Sequence, residues 1–343
     1  MQSGKGGRLE FPSRSTTSRF IQGKSSLAPF FLGLMLVAST TTAQQFPTKT
    51  VRIIVPFSPG SILDTVSRFV ANKSSEAWGQ PVVVENRGGA GGRIGSEQVA
   101  KSPPDGHTLL MGSSGTHVAV VFLSKVLPYD PVKDFTPITM AVEPVSGLIV
   151  ALSVPANNIR ELVELLKKNP GKYSYASNGV GSVFHLTGEL FRQAAGVDIV
   201  HVPLQGAADI MNAVVGGHIP IGFASTASLP NQLAAGKLKL LGMASANRIA
   251  RMPDVPTMTE GLPGFEAPGS WMGFFGPANM PPVLLARINA DFVKALNAPD
   301  VKPKLEDQGM MVVANTPQQF AEAMKRGFER YGRAIKLAGI QPE

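Results

Sequence analysis

At 343 residues the chain is about two or three times the usual domain length, so it can bury a large core and form two domains. Hydrophobic residues make up 43% and charged residues 16%, which excludes extended disorder beyond the N-terminus, and the absence of cysteine excludes disulfides, thiolate metal ligands and cysteine nucleophiles. The formal charge is +8, but residues 1–43 hold five Lys/Arg and one Glu, so the remainder carries 27 basic and 23 acidic residues, or +4; with no clustered basic stripe, nucleic acid is not an expected partner.

Lys5, Arg8, Arg14, Arg19 and Lys24 precede the apolar run Leu27–Val37, and Thr41-Thr-Ala43 supplies small residues, the pattern of a secretory signal peptide over residues 1–43. No other stretch approaches about 20 apolar residues, so the mature protein is expected to be periplasmic and not membrane-embedded, and a monomer. Val51–Val55 is rich in β-branched residues and is stopped by Pro56 and Pro59, as in a strand of a parallel sheet covered on both faces. Ser61-Ile-Leu-Asp64 fits the S-x-x-D cap, and Val66, Phe69 and Val70 recur at helical spacing, so a helix starts near Ser61 or Ile62 with its free amides facing the turn. Such a turn, at the carboxyl end of a strand, suits an anion; a capped helix without a ligand is the alternative.

Pro81–Glu85 reads as a second strand. The loop Asn86–Gly95 that follows resembles a dinucleotide fingerprint only in Gly89-Ala-Gly91, because Ile94 occupies the sixth place; a glycine turn for close helix–sheet packing is the better reading, and no cofactor is expected. His107–Gly112 is a third strand, with Ser113 and Thr116 at its end in what reads as a solvated Ser/Gly loop lacking G-x-S-x-G spacing. Two apolar runs, Ile138–Val142 and Val145–Leu152, flank Glu143-Pro144, where the chain is expected to cross into a second sheet. Asn158–Lys168 is an amphipathic helix.

Tyr173–Ser177 repeats the design of the first strand: Asn178–Gly181 is its turn and Ser182 caps the following helix, on which His185 and Glu189 stand four apart. Two ligands are too few for a metal, so that pair reads as exposed and polar, and no metal is expected. His201, in the strand Asp198–Val202, reads as structural; further strands are Pro220–Ala224 and Lys237–Met243, with a helix over Gly206–Val215. Glu260–Ser270 suits a return crossing before the strand Trp271–Gly276. A helix over Pro281–Leu296, a strand at Met310–Ala314 and a capping box at Thr316–Gln319 complete the pattern. Strand–turn–helix units alternate throughout, giving an α/β class.

Arg52–Gly60 with Asp64, Gly79–Arg87 with Gly89–Gly92, Pro104-Asp-Gly106, Tyr129-Asp-Pro131, His201-Val-Pro203 with Gly206, Ala235–Leu238 and Pro253–Thr257 together resemble the Bug family of extracytoplasmic solute receptors, the substrate-binding components of tripartite tricarboxylate transporters. The resemblance covers about Phe46 to Ala338 and implies a type 2 periplasmic-binding fold. Its two α/β lobes, residues 46–145 with 267–343 and residues 146–266, are joined by two crossover segments and close over a small organic carboxylate, with membrane transporter subunits as possible partners. Carried over by position, it implicates Phe57, Ser58, Gly60, Ser61, Asp64, Ser113 and Thr116 on one lobe and Ser177, Asn178, Ser182, Gln205, Gly206 and Ala207 on the other.

Three departures bear on specificity. Ser61-Ile-Leu63 replaces the family's glycines and puts bulk near the expected ligand, Leu204-Gln-Gly206 replaces Tyr-Lys-Gly, and the Asp after the following strand is replaced in the Ala224-Ser225 segment. These favour a less polar or less acidic ligand than the family's dicarboxylates. A receptor without catalytic activity is the expectation; a sensory protein signalling to a membrane partner and an exported hydrolase are the alternatives.

Overall fold

The structure, a computed structural model, describes residues 46–342; the expected signal segment lies outside the described residues. Among the described residues eleven strands fall in two sheets. The first contains β1 (Val51–Val55), β2 (Val82–Asn86), β3 (Thr108–Ser113), β4 (Phe135–Pro144), β10 (Met272–Pro277) and β11 (Met310–Val312), in the order β11-β4-β10-β3-β1-β2. The second contains β5 (Ser146–Ala151), β6 (Ser174–Ser177), β7 (Val200–Pro203), β8 (Ile221–Ser225) and β9 (Leu238–Met243), in the order β7-β6-β8-β5-β9.

Parallel pairing decides where the functional turns lie. β1 runs parallel to both β2 and β3, so Val55, Asn86 and Ser113 end at one edge of the first sheet. In the second sheet β6 is parallel to β7 and β8, which brings the ends of those strands together in turn. The expectation of a parallel sheet holds only for β1–β3, because β10 is inserted antiparallel between β3 and β4. That reversal follows from β10 being the strand on which the chain returns from the second sheet.

Both faces of the first sheet are covered, as the β-branched runs imply. Val51, Ile53 and Val55 point into one apolar cluster and Ile54 into another, the alternation of a pleated strand. On the first face lies helix α1 (Ile62–Trp78), which begins where Ser61 Oγ accepts from Asp64 N at 3.3 Å and ends at Gly79, whose φ of 64° is the left-handed value that stops a helix. The chain passes between sheets through a single residue, Val145, whose N–H donates to Gly309 O (3.0 Å) and whose carbonyl accepts from Thr226 N (2.9 Å). It returns between Met243 and Met272. Helix α2 (Arg93–Ala100) packs close to β1: a Cβ at Gly95 would stand 2.7 Å from Arg87 O and 3.0 Å from Pro56, so the glycine-rich loop serves close packing, as read from sequence.

Two sequence readings are corrected. Ser113–Thr116 does not open a solvated loop: Gly115–Ala119 forms a wide helical turn with Thr116, His117 and Val118 buried, because Phe135 and Phe275 close around the His117 ring. Nor are His185 and Glu189 exposed. Their helix, Val183–Ala195, is buried on several sides by β6 and by the C-terminal helix Pro317–Leu337, so both side chains are interior.

Candidate functional site

The turn after β1 is built by a carboxylate. Asp64, 4% exposed, accepts from Gly60 N (3.0 Å), Arg68 Nε (2.9 Å) and Asn86 Nδ2 (3.0 Å), and Asn86 Nδ2 also donates to Phe57 O (3.0 Å). Burial pushes the Asp64 pKa up, but the hydrogen bonds from Arg68, Gly60 and Asn86 outweigh it and hold the group below the usual carboxylate value. Two amides assigned to a ligand are therefore used inside the turn: Gly60 N–H by Asp64 and Ser61 N–H by Ser58 O (3.2 Å). By helix geometry the Ile62 and Leu63 amides have no intrahelical acceptor. The bulk of Ser61-Ile-Leu63 does not fill the cleft described below: Leu63 is buried in the cluster beneath the turn, and Ile62, 41% exposed, is not among the residues that line it.

At the end of β3, Ser113 and Thr116 bond one another: Ser113 N donates to Thr116 Oγ1 (3.0 Å) and Thr116 N to Ser113 Oγ (3.3 Å). Thr116 is wholly buried, so its part is to shape the turn. His117 beside it is also wholly buried, stacked on Phe275 at 4.1 Å, and burial lowers its pKa to about 3. Between pH 6.5 and about 3 the unfolded chain takes up a proton that the folded one excludes, so stability falls as pH falls, by about 1.4 kcal/mol per unit from this group. Urea denaturation of wild type and His117→Phe between pH 7 and pH 4 is expected to show a shallower slope in the variant.

On the second sheet, Ser182 Oγ accepts from His185 N (3.2 Å) and donates to Gly179 O (2.7 Å), the cap expected of it. Asn178, Gln205 and Ala207 are exposed; Gly206 precedes the helix Ala207–Val215 in extended backbone. Ser177 faces inward. Its Oγ lies 2.7 Å from His201 Nε2, and the His201 ring stacks on His185 at 3.8 Å. His185 Nδ1 accepts from Gly181 N (3.1 Å), and Glu189 accepts from Tyr175 OH (2.7 Å) and pairs with Arg192 (2.6 Å). Burial, with His185 alongside, lowers the His201 pKa to about 4, and burial also lowers that of His185. This inner network braces the Asn178–Ser182 turn from below.

The turns from the two sheets meet at a cleft of about 340 Å³, within the range of small-molecule sites. Phe57, Arg93, Gly115 and Leu123 line it from the first sheet's side and Gly181, Ser182 and Val183 from the second's. The two sides approach closely, since a Cβ at Gly181 would lie 3.7 Å from Leu123 Cδ1. Of the residues assigned from sequence, Phe57 and Ser182 line the cleft directly, whereas Asp64, Thr116 and Ser177 stand behind its walls. Sequence patterning does not mark Asn86, Arg93 or Leu123 as site residues, although Asn86 stands at the carboxyl end of the strand beside β1, the position that marks ligand edges in α/β sheets. A second hollow of about 300 Å³, lined by Glu143, Val145, Phe265 and Arg330, is bounded by the crossing segments themselves.

Two sheets joined by two crossings, with strand-end turns facing each other over a cleft, define a periplasmic binding protein fold. The chain matches the family described as "Tripartite tricarboxylate transporter family receptor" over residues 66–340 and belongs to that family. It is 37% identical over 309 residues to a UPF0065 protein from the tcbD-tcbE intergenic region of Pseudomonas sp. strain P51, covering 89% of this chain and 91% of the relative. Among solved structures, an R. palustris protein with adipate is 30% identical with a TM-score of 0.69, covering 87% of this chain and 100% of that one. MatC from Rhodopseudomonas palustris, with bound malate, is 34% identical with a TM-score of 0.64, covering 84% and 100%. The family resemblance read from the motifs is thereby borne out.

Proposed function

We propose that this protein is a periplasmic solute receptor, without catalytic activity, that captures a small organic carboxylate by closing two lobes and presents it to membrane subunits of a tripartite transporter. The observation that carries this reading is the cleft itself, walled by strand-end turns of both sheets, in a family whose solved relatives hold adipate and malate. Residues 46–145 with 267–343 form one lobe and residues 146–266 the other, and residues 1–43 direct export. No helix among the described residues is long and apolar enough to cross a membrane, which accords with a receptor that meets its transporter as a separate subunit.

The hydrolase alternative has one feature in its favour, the Ser177–His201 pair at 2.7 Å. Ser177 is wholly buried and its Oγ also donates to Gly179 O (3.1 Å), so no ester carbonyl reaches it.

Closure makes a spectroscopic prediction. Trp271 is buried at the start of β10, where the return crossing ends, edge-on to Phe320 at 5.0 Å. Trp78 is held at the far end of α1 by its Nε1–H donating to Asp291 Oδ2 (2.7 Å) and by stacking on Phe292. Titration with adipate, malate, succinate and benzoate is expected to change the fluorescence of wild type and Trp78→Phe, and to leave that of Trp271→Phe unchanged. The receptor reading fails if none of these ligands gives heat in calorimetry or alters the small-angle scattering profile.

A further inference from the structure

Resting on that receptor reading, we propose that Arg93 is the charge partner of the ligand and that the cleft selects monocarboxylates with an apolar body over compact dicarboxylates.

The argument begins with the wall. Apart from Arg93, the side chains that line the cleft include Phe57, Val120, Leu123 and Val183, all apolar, with the hydroxyls of Ser124, Ser182 and Tyr331, the last donating its proton to Gly269 O (2.8 Å). Of these hydroxyls only that of Ser124 keeps a proton for an anion, and it stands within hydrogen-bond distance of Arg93. Ser182 Oγ directs its proton to Gly179 O at 2.7 Å, and Ser124 Oγ accepts from Arg93 Nη1 at 3.2 Å. In the turn after β1, the Gly60 and Ser61 amides are already bonded within the turn. The positive side chain in this cleft is therefore Arg93.

Arg93 is itself under-used. It is half-buried; its Nε–H donates to Ala90 O (2.8 Å) and its Nη1 to Ser124 Oγ, both neutral acceptors, and no carboxylate among the described residues lies within 4.0 Å of it. A guanidinium has five N–H groups in a planar fork, so donors remain on its outer edge for a carboxylate. The bond to Ala90 O fixes the side chain against the glycine loop, so little ordering is required when a ligand arrives.

One cation and an apolar wall define a ligand with one carboxylate and an apolar remainder. A second carboxylate of a compact diacid would be desolvated against Val120, Leu123 and Val183 with no second cation in the cleft to pair with it, which costs more than the apolar contact returns. An aryl or alkyl group would cover the same surface favourably.

The test uses calorimetry on the full chain with benzoate, hexanoate, succinate and citrate, each also at raised salt. Benzoate and hexanoate are expected to bind at least about tenfold tighter than succinate or citrate. Arg93→Gln is expected to weaken benzoate at least about tenfold, Arg93→Lys to lie between, and affinity for neutral benzamide to be the same in wild type and Arg93→Gln; a purely structural role would alter benzamide and benzoate alike. An unchanged melting temperature for unliganded Arg93→Gln confirms that the loop is intact. Tighter succinate or citrate, or undiminished benzoate affinity in Arg93→Gln, overturns this inference and leaves the receptor standing. If none of the four acids binds, nor adipate or malate, the receptor reading falls and this inference with it.

Discussion

Replacing Asp64 with alanine is expected to lower the unfolding free energy by about 2–4 kcal/mol and to weaken carboxylate binding by at least about tenfold. The carboxylate is nearly inaccessible and joins three parts of the chain: the Gly60 amide before α1, Arg68 one helical turn onward, and Asn86 at the end of β2. Arg68 is 52% exposed and can turn to water, so its ion pair adds little. Most of the loss comes from Gly60 N–H and from Asn86, which would retain Phe57 O but lose its second acceptor. Asparagine at position 64 keeps the shape but places an amide where one oxygen now accepts, so Asp64→Asn should recover only part of the loss. The pH dependence has a definite sign. Because the folded pKa lies below the ordinary 3.8, the carboxylate stabilises the fold fully above that value and loses its effect as pH falls through the lowered one. The stability gap between wild type and Asp64→Ala, measured in urea, should be constant from pH 7 to pH 5 and narrow below pH 3.8. A gap that widens in acid would show that the carboxylate is not the group that holds this turn.

The same residue shows how far the sequence reaches. Ser61 as a cap and Asp64 three places on are local facts, and the 3.3 Å bond between them is what the S-x-x-D spacing implies. That Asp64 also holds Asn86 depends on β1 pairing with β2 in the register that sets Val55 opposite Asn86, which no window of a dozen residues contains. The place of Arg93 is hidden in the sequence for a similar reason. Within a glycine loop an arginine reads as solvent-facing, and only the packing of α2 under that loop turns it toward the cleft. The strands and capped helices were legible because their causes are periodic or adjacent. The binding wall was not, because its members lie on segments as distant as Phe57, Leu123 and Val183. His185 and Glu189 were misread in the opposite direction: the i,i+4 rule describes one helix in water, and here the helix is enclosed.

That enclosure yields the second large effect, and its sign separates local from tertiary physics. Gly188 sits in the middle of the helix Val183–Ala195, where alanine is intrinsically favoured by about 1 kcal/mol, so helix propensity alone predicts that Gly188→Ala stabilises the protein. Packing predicts the reverse. A Cβ at this position would lie 2.1 Å from Tyr175 Cε2 and 2.5 Å from Cζ, well inside contact distance. The ring cannot easily withdraw, because Tyr175 is fully buried, lies 6.2 Å from Phe223 edge-to-face, and donates its hydroxyl proton to Glu189. We expect Gly188→Ala to destabilise by about 3 kcal/mol and Gly188→Val by more, the range of overpacked cores. Since Tyr175 belongs to the strand that ends in the Asn178–Ser182 turn, ligand affinity should fall as the strand shifts. A double-mutant cycle with Tyr175→Leu gives the attribution: removing the ring costs stability by itself, but it also removes the clash, so the double variant should be markedly less destabilised than the sum of the singles. Additive losses would mean that the glycine is required by something other than that ring.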